Sequence, residues 1–201
     1  QMCIRDRFAQ RAADAVAATR QRRIDGFGEA LSYKSTAVIY SSRDTLSEMY
    51  GSGLTNETAG GFTSSSLGMS VQFVARETLD EQVAWLSQVI THELTHLYQY
   101  DVVGGALGPG WWTEGQADWF ALAPGLYDER LMLLSQTQDL PTLSKEVTRN
   151  IVQADGRPYL VYDMGVSFIN WLINNYGGIQ THADIVAQMK RNTPFYDAIE
   201  Q

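Results

Sequence analysis

Up to about residue 77 the apolar positions come in short runs broken by Gly, Ser and Thr, whereas beyond it they recur at helical spacing. Residues 8–24, rich in Ala, Arg and Gln, predict a helix ending near Gly26 and Gly28. Thr36-Ala37-Val38-Ile39-Tyr40 predicts a buried strand, and the alternation from Ser70 to Ala75 a second one. Ser41, with Asp44 three residues on, predicts the cap of a short helix that Gly51 closes. Two or three strands around the Gly-rich stretch 51–70 predict a small antiparallel sheet.

From Thr78 the capping box Thr78-Leu79-Asp80-Glu81 opens a long helix running to about Tyr100. Its Leu79, Val83, Leu86, Ile90, Leu94 and Leu97 form one narrow apolar stripe. A loop with Gly104, Gly105, Gly108 and Gly110 leads to a helix near 113–122, stopped before Pro124. Further helices are predicted over 127–136, over 160–176 with Tyr176-Gly177-Gly178 as its end, and over 180–191, with another starting at 194. Strands first and helices afterwards make an α+β arrangement.

Composition narrows the functional classes. The 201 residues suffice for one cored domain, and 44% apolar with 19% charged residues excludes disorder of the bulk. A net charge of −8 argues against nucleic acid as a partner. No apolar run exceeds five residues, so no membrane span is expected. The single Cys3 excludes an internal disulfide framework and a multi-cysteine metal site, leaving histidine and carboxylate as ligands.

Two of the three histidines lie in His92-Glu93-Leu94-Thr95-His96 on the long helix. At ~100° per residue, His92 and His96 stand one turn apart on one face and can chelate one cation, with Glu93 beside them to hold a water. Both project about 200–240° around from the apolar stripe, which makes the helix a partition with core behind and a cleft in front. Zinc accepts imidazole nitrogen at ~2.0–2.1 Å, so the pair supplies half a tetrahedral site. The candidate third ligand is Glu114 in Trp111-Trp112-Thr113-Glu114-Gly115-Gln116-Ala117-Asp118. Asp118, four residues on, shares its face and can accept the free N–H of a ligating histidine. Gly115 and Ala117 are small enough for close approach to a partner helix. His182 has no partner motif and is expected at the surface. The Gly/Ser/Thr run 60–66 is not a phosphate loop, since no Gly-Lys-Ser/Thr follows.

His-Glu-x-x-His followed by a Trp-x-x-Glu-Gly-x-Ala-x helix resembles the gluzincin metallopeptidases: thermolysin-like enzymes, aminopeptidase-N-like enzymes and especially small bacterial peptidase-MA-like domains. The likeness spans about residues 36 to 190. It implies a zincin-like fold in which the active-site helix lies between a small N-terminal sheet lobe (31–77) and a helical lobe (78–201). It makes His92, His96 and Glu114 ligands of one Zn2+ per chain and Glu93 the general base. Tyr159-Leu160-Val161-Tyr162-Asp163-Met164-Gly165 resembles the Tyr-x-x-Gly helix start of the aminopeptidase-N-like enzymes. By that likeness Tyr162, ahead of Tyr159, stabilises the oxyanion.

No Gly-x-Met-Glu-Asn segment is present; the equivalent region is Ala59–Phe62, making Gly60, Gly61 and Phe62 candidate substrate-binding residues. The expected activity is zinc-dependent hydrolysis of peptide bonds in a peptide or protein substrate, by metal-activated water. A catalytically idle zincin used as a binding module, and a zinc hydrolase of a non-peptide amide or ester, are the competing expectations. Gln1–Arg7 resembles a translated sequencing-adapter tract, 8–30 is read as an N-terminal helix, and the catalytic domain over 31–201 is expected to be C-terminally truncated. Relatives of this kind are often exported or membrane-tethered in bacteria, which implies an extracytoplasmic or tethered protein.

Overall fold

The computed structural model describes residues 2–40, 42–51, 61–73, 79–104, 107–122 and 160–200. The helix expected over 8–24 is two helices, α1 (Met2–Ala18) and α2 (Arg20–Phe27). At the break, the Thr19 hydroxyl donates to the Val16 carbonyl at 2.8 Å, competing with helix continuation. Gly28 ends α2 in the left-handed region, at φ 78°.

The sheet consists of β1 (Thr36–Tyr40), β2 (Gly61–Ser64) and β3 (Met69–Phe73), in the order β1-β3-β2. It is mixed, which corrects the expected antiparallel sheet: β2 runs antiparallel to β3, but β1 pairs parallel to it, Thr36 opposite Met69. Alternation of apolar residues reports which face is buried, and it is silent on strand direction. Direction is set by the connection, and the chain between β1 and β3 contains a helix, α3 (Arg43–Tyr50), that packs on both strands, as a parallel pair requires. The cap of α3 is Ser42, whose Oγ accepts from Thr45 N at 3.2 Å, one residue beyond the expected Ser41, which lies outside the described residues.

The long helix α4 (Leu79–Tyr98) packs on β2 and β3 and continues as a turn of π-helix over Gln99–Val103. The expected cap Thr78 and the expected helix over 127–136 lie outside the described residues. Leu86, Ile90, Leu94 and Leu97 of the apolar stripe are buried against Val16 of α1, Leu31 and Ile39 of β1. The face turned away from them meets α5 (Gly110–Ala121), so α4 separates the sheet from α5. α5 starts before Thr113 because the Pro109 carbonyl accepts from Trp112 N and Thr113 N.

Helix α5 is buried on nearly every side, among α4, α6 (Leu160–Asn175) and the aromatic core of Phe27, Trp111, Trp112, Phe120 and Phe195. α7 (Ile179–Lys190) and α8 (Phe195–Glu200) complete the helical side, with Gly177 and Gly178 at positive φ in the turn after α6. No described helix is long and apolar enough to cross a membrane.

Helices α5 and α6 cross glycine on glycine. A Cβ on Gly115 would lie 2.5 Å from Gly165 Cα, and one on Gly165 would lie 2.1 Å from the Trp111 carbonyl oxygen. The small residues of α5 therefore serve its approach to α6. Gly165 follows Tyr162 by three positions, so this crossing also sets where Tyr162 sits.

A candidate metal centre between two helices

Helical geometry alone puts His92 and His96 side by side, and their rings meet edge to face with centroids 4.8 Å apart. The third group comes from α5, where Glu114 is only 2% exposed. His92 Nε2 and His96 Nε2 are 3.1 Å apart, and Glu114 Oε2 lies 3.3 Å from the first and 3.5 Å from the second.

The protonation of the other ring atoms decides what this triangle is. His92 Nδ1 is 2.7 Å from Asp118 Oδ1; a carboxylate oxygen accepts, so Nδ1 carries the hydrogen. His96 Nδ1 is 2.7 Å from Gln99 Oε1 and donates to it. Both Nε2 atoms are therefore left with lone pairs that converge on a carboxylate oxygen. Three acceptors facing one another repel unless a positive charge sits among them.

A proton could bridge one pair, at hydrogen-bonding distance. A tetrahedral zinc with bonds of ~2.0–2.1 Å has edges of about 3.3–3.4 Å, and the three observed separations cluster around that value. The donor set of two imidazoles and one carboxylate, with each imidazole anchored through its other nitrogen, fits such an ion.

The charge environment of the site favours a cation, whether a proton or a metal ion. Burial opposes charge on the His92 ring, but hydrogen bonds to Asp118 and Glu114 and the charges of Asp118 and Glu93 outweigh it, so its pKa is raised well above the usual value. Burial likewise pushes Glu114 up, yet hydrogen bonds and charge from His92 and His96 hold it far below the carboxylate range. The pocket stabilises a positive charge between these atoms and keeps Glu114 ionised.

Glu93 is buried beside the two histidines, at 7% exposure. Thr63 Oγ1, on β2, lies within hydrogen-bonding distance of both the Glu93 backbone carbonyl (2.9 Å) and its side-chain Oε2. The ring of Tyr162, in the first turn of α6, stacks on His92 with centroids 6.0 Å apart. The expected residues His92, Glu93, His96, Glu114, Asp118 and Tyr162 are thus gathered at one place.

The expected substrate-binding stretch is more dispersed. Gly61 lies on the β2 face toward α4, where a Cβ would meet Val89 Cγ1 at 3.2 Å. Phe62 points to the other face and packs edge to face on Tyr50, at 5.2 Å. Gly60 and Tyr159 lie outside the described residues.

Sequence reasoning passed over four residues that the fold brings to this region. Thr63 had no signal, because only the packing of α4 on β2 brings it to Glu93. Gln99 follows His96 by three positions and so shares its face, a local signal that could have found it. Gln116 sits between Glu114 and Asp118 and is 2% exposed. His182, expected at the surface, is fully buried and stacks on Trp112 at 5.2 Å. The correction has a plain cause: α7 turns one side toward the aromatic core, and His182 lies on it.

Compared with family models, residues 11–136 match the family BSP, described as "Peptidase of plants and bacteria". The match covers well over half of the chain and includes both the His-Glu-x-x-His turn and the Glu114–Asp118 helix. The chain belongs to this peptidase family, which implies peptide or protein substrates. Tyr162, Gly165 and His182 fall beyond the matched region. A search of curated proteins returned no match.

Proposed function

We propose that the protein is a zinc-dependent metallopeptidase of the gluzincin type, with His92, His96 and Glu114 holding the ion. The observation that carries this is the convergence of three lone-pair atoms at separations of 3.1, 3.3 and 3.5 Å in a member of a peptidase family. Zinc, when bound, supplies a Lewis acid and a water of lowered pKa.

The chain's own groups do the rest. Asp118 and Gln99 hold the two imidazoles in the tautomer that aims Nε2 at the ion. Glu93 takes up the proton of the attacking water and returns it to the leaving amine, so one carboxylate serves as base and then as acid. The Thr63 hydroxyl keeps that carboxylate turned toward β2, an edge strand of the sheet. Tyr162 donates a hydrogen bond to the developing oxyanion, which is worth ~3–4 kcal/mol in comparable sites. Its ring, stacked on His92, is held near the site by the glycine crossing of α5 and α6.

Profiling the zinc-loaded protein against a proteome-derived peptide library tests this reading and reports endo- or exopeptidase action at the same time. Cleavage that disappears with chelator and returns with zinc is expected. Fully metal-replete protein that cuts no peptide would contradict it and favour an idle zincin.

A further inference from the structure

His96 differs from its neighbour in how its outer nitrogen is held. His92 leans on a carboxylate, but His96 leans on a neutral amide, Gln99, which is 1% exposed. From that amide a chain of hydrogen bonds runs into the core. Gln99 Nε2 lies 2.8 Å from the Thr113 carbonyl and 2.7 Å from Gln116 Oε1. Gln116 Nε2 lies 2.9 Å from His182 Nε2, and His182 Nδ1 lies 2.7 Å from the Gly26 carbonyl.

Two backbone carbonyls fix the polarity of the whole chain, because a carbonyl oxygen only accepts. Thr113 O turns the NH2 of Gln99 toward itself, which leaves Gln99 Oε1 for His96 and requires the hydrogen on His96 Nδ1. The second N–H of Gln99 then meets Gln116, which must present its oxygen and so directs its own NH2 at His182. At the far end, Gly26 O requires the hydrogen on His182 Nδ1, leaving Nε2 to accept from Gln116. Each link donates in the same direction, from His96 to Gly26, and the reverse orientation would aim a lone pair at a carbonyl at both ends.

The anchors are themselves built in. Gly26 lies where a Cβ would come 2.3 Å from Phe120 Cζ, so the bare backbone of α2 is what reaches His182. The ring of His182 is enclosed by Phe27, Trp112 and Phe120. Burial lowers its pKa to about 4, against a smaller upward effect of the Gly26 carbonyl, so the neutral ring that the chain requires is the form present at neutral pH.

We propose that Gln99, Gln116 and His182 are positioning residues: a buried one-way relay that locks His96 as the Nδ1–H tautomer and presents its Nε2 lone pair to the divalent ion. The proposal rests on the reading of His96 as a zinc ligand. Using neutral groups, the relay does for His96 what Asp118 does for His92, without burying another carboxylate beside Glu114.

The test uses the full chain and zinc itself, with affinity measured by competition against a chromophoric chelator. His182→Phe, which offers no acceptor, is expected to weaken zinc binding about tenfold or more. His182→Gln can present an oxygen to Gln116 and an N–H to Gly26, and is expected to keep the wild-type affinity. A folded His182→Phe protein that binds zinc as tightly as wild type would overturn the relay. Nitrogen-15 NMR of the imidazoles in zinc-loaded wild-type protein supplies a readout that needs no variant. It should show the hydrogen on Nδ1 of both His96 and His182, and a hydrogen on His182 Nε2 would overturn the relay even if His182→Phe failed to fold. Wild-type protein that takes up no zinc would bring down the metallopeptidase reading and the relay with it, a result distinct from loss confined to His182→Phe.

Discussion

Glu93 sits beside the three atoms proposed to hold zinc without being one of them, so its substitution separates binding from chemistry. Glu93→Gln is expected to retain one zinc per chain while hydrolysis falls below detection, read by elemental analysis alongside peptide cleavage. Activity persisting in metal-replete Glu93→Gln protein would remove the general base from the account. Asp118→Ala leaves the His92 Nδ1–H without its acceptor, and zinc affinity should fall about 10–100-fold in chelator competition. These residues could be read in the sequence because their relations are local: four positions along a helix are one turn, whatever the rest of the chain does. Thr63 and His182 are joined to the site by the packing of α4 on β2 and by helix docking, across 30 and 66 positions, and no local spacing reports such contacts.

Among the elements, the crossing of α5 and α6 is the most demanding. Gly165→Ala would place a methyl group 2.1 Å from the Trp111 carbonyl, and backbone cannot yield as a side-chain tip does. The variant should lose about 1–3 kcal/mol, seen as a lower urea midpoint of the zinc-free protein, and should slow hydrolysis more than it weakens zinc, because Tyr162 rides on α6. An unchanged midpoint would mean that the two helices can part at no cost. Helix positions were legible to within a few residues, since apolar stripes and Gly or Pro stops are written locally. The direction of β1 was not, because its parallel pairing depends on the α3 connection and on β3 entering the sheet between β1 and β2. The π-turn after α4 was also illegible: it is held by tertiary contacts such as Asp101, which accepts from the backbone N–H of Ser32 at 2.7 Å.

At the scale of the whole molecule, the proposed zinc would tie α4 to α5 and so couple binding to folding. Zinc present at about 100 times its dissociation constant should add roughly 2.7 kcal/mol to stability, so chelator should lower the unfolding temperature of wild type and leave Glu114→Ala unmoved. The buried His182 makes the zinc-free fold sensitive to acid. Its folded pKa of about 4 lies below the ordinary 6.5, so the unfolded chain takes up the proton first. Stability from this group is complete above about pH 6.5 and is lost as pH falls toward 4, by on the order of 3 kcal/mol. The difference in unfolding free energy between wild type and His182→Gln should shift by that amount over this window; a pH-independent difference would contradict the buried neutral ring.

The central claim is that one ion, held by two imidazoles and a carboxylate, makes this chain a peptidase. Titrating metal-free protein with zinc while following cleavage of a casein-type substrate tests it most directly. The account predicts a rate that climbs linearly to one equivalent and then levels, with no rise in Glu114→Ala. Cleavage at full rate before any zinc is added, or none once an equivalent is bound, would contradict it.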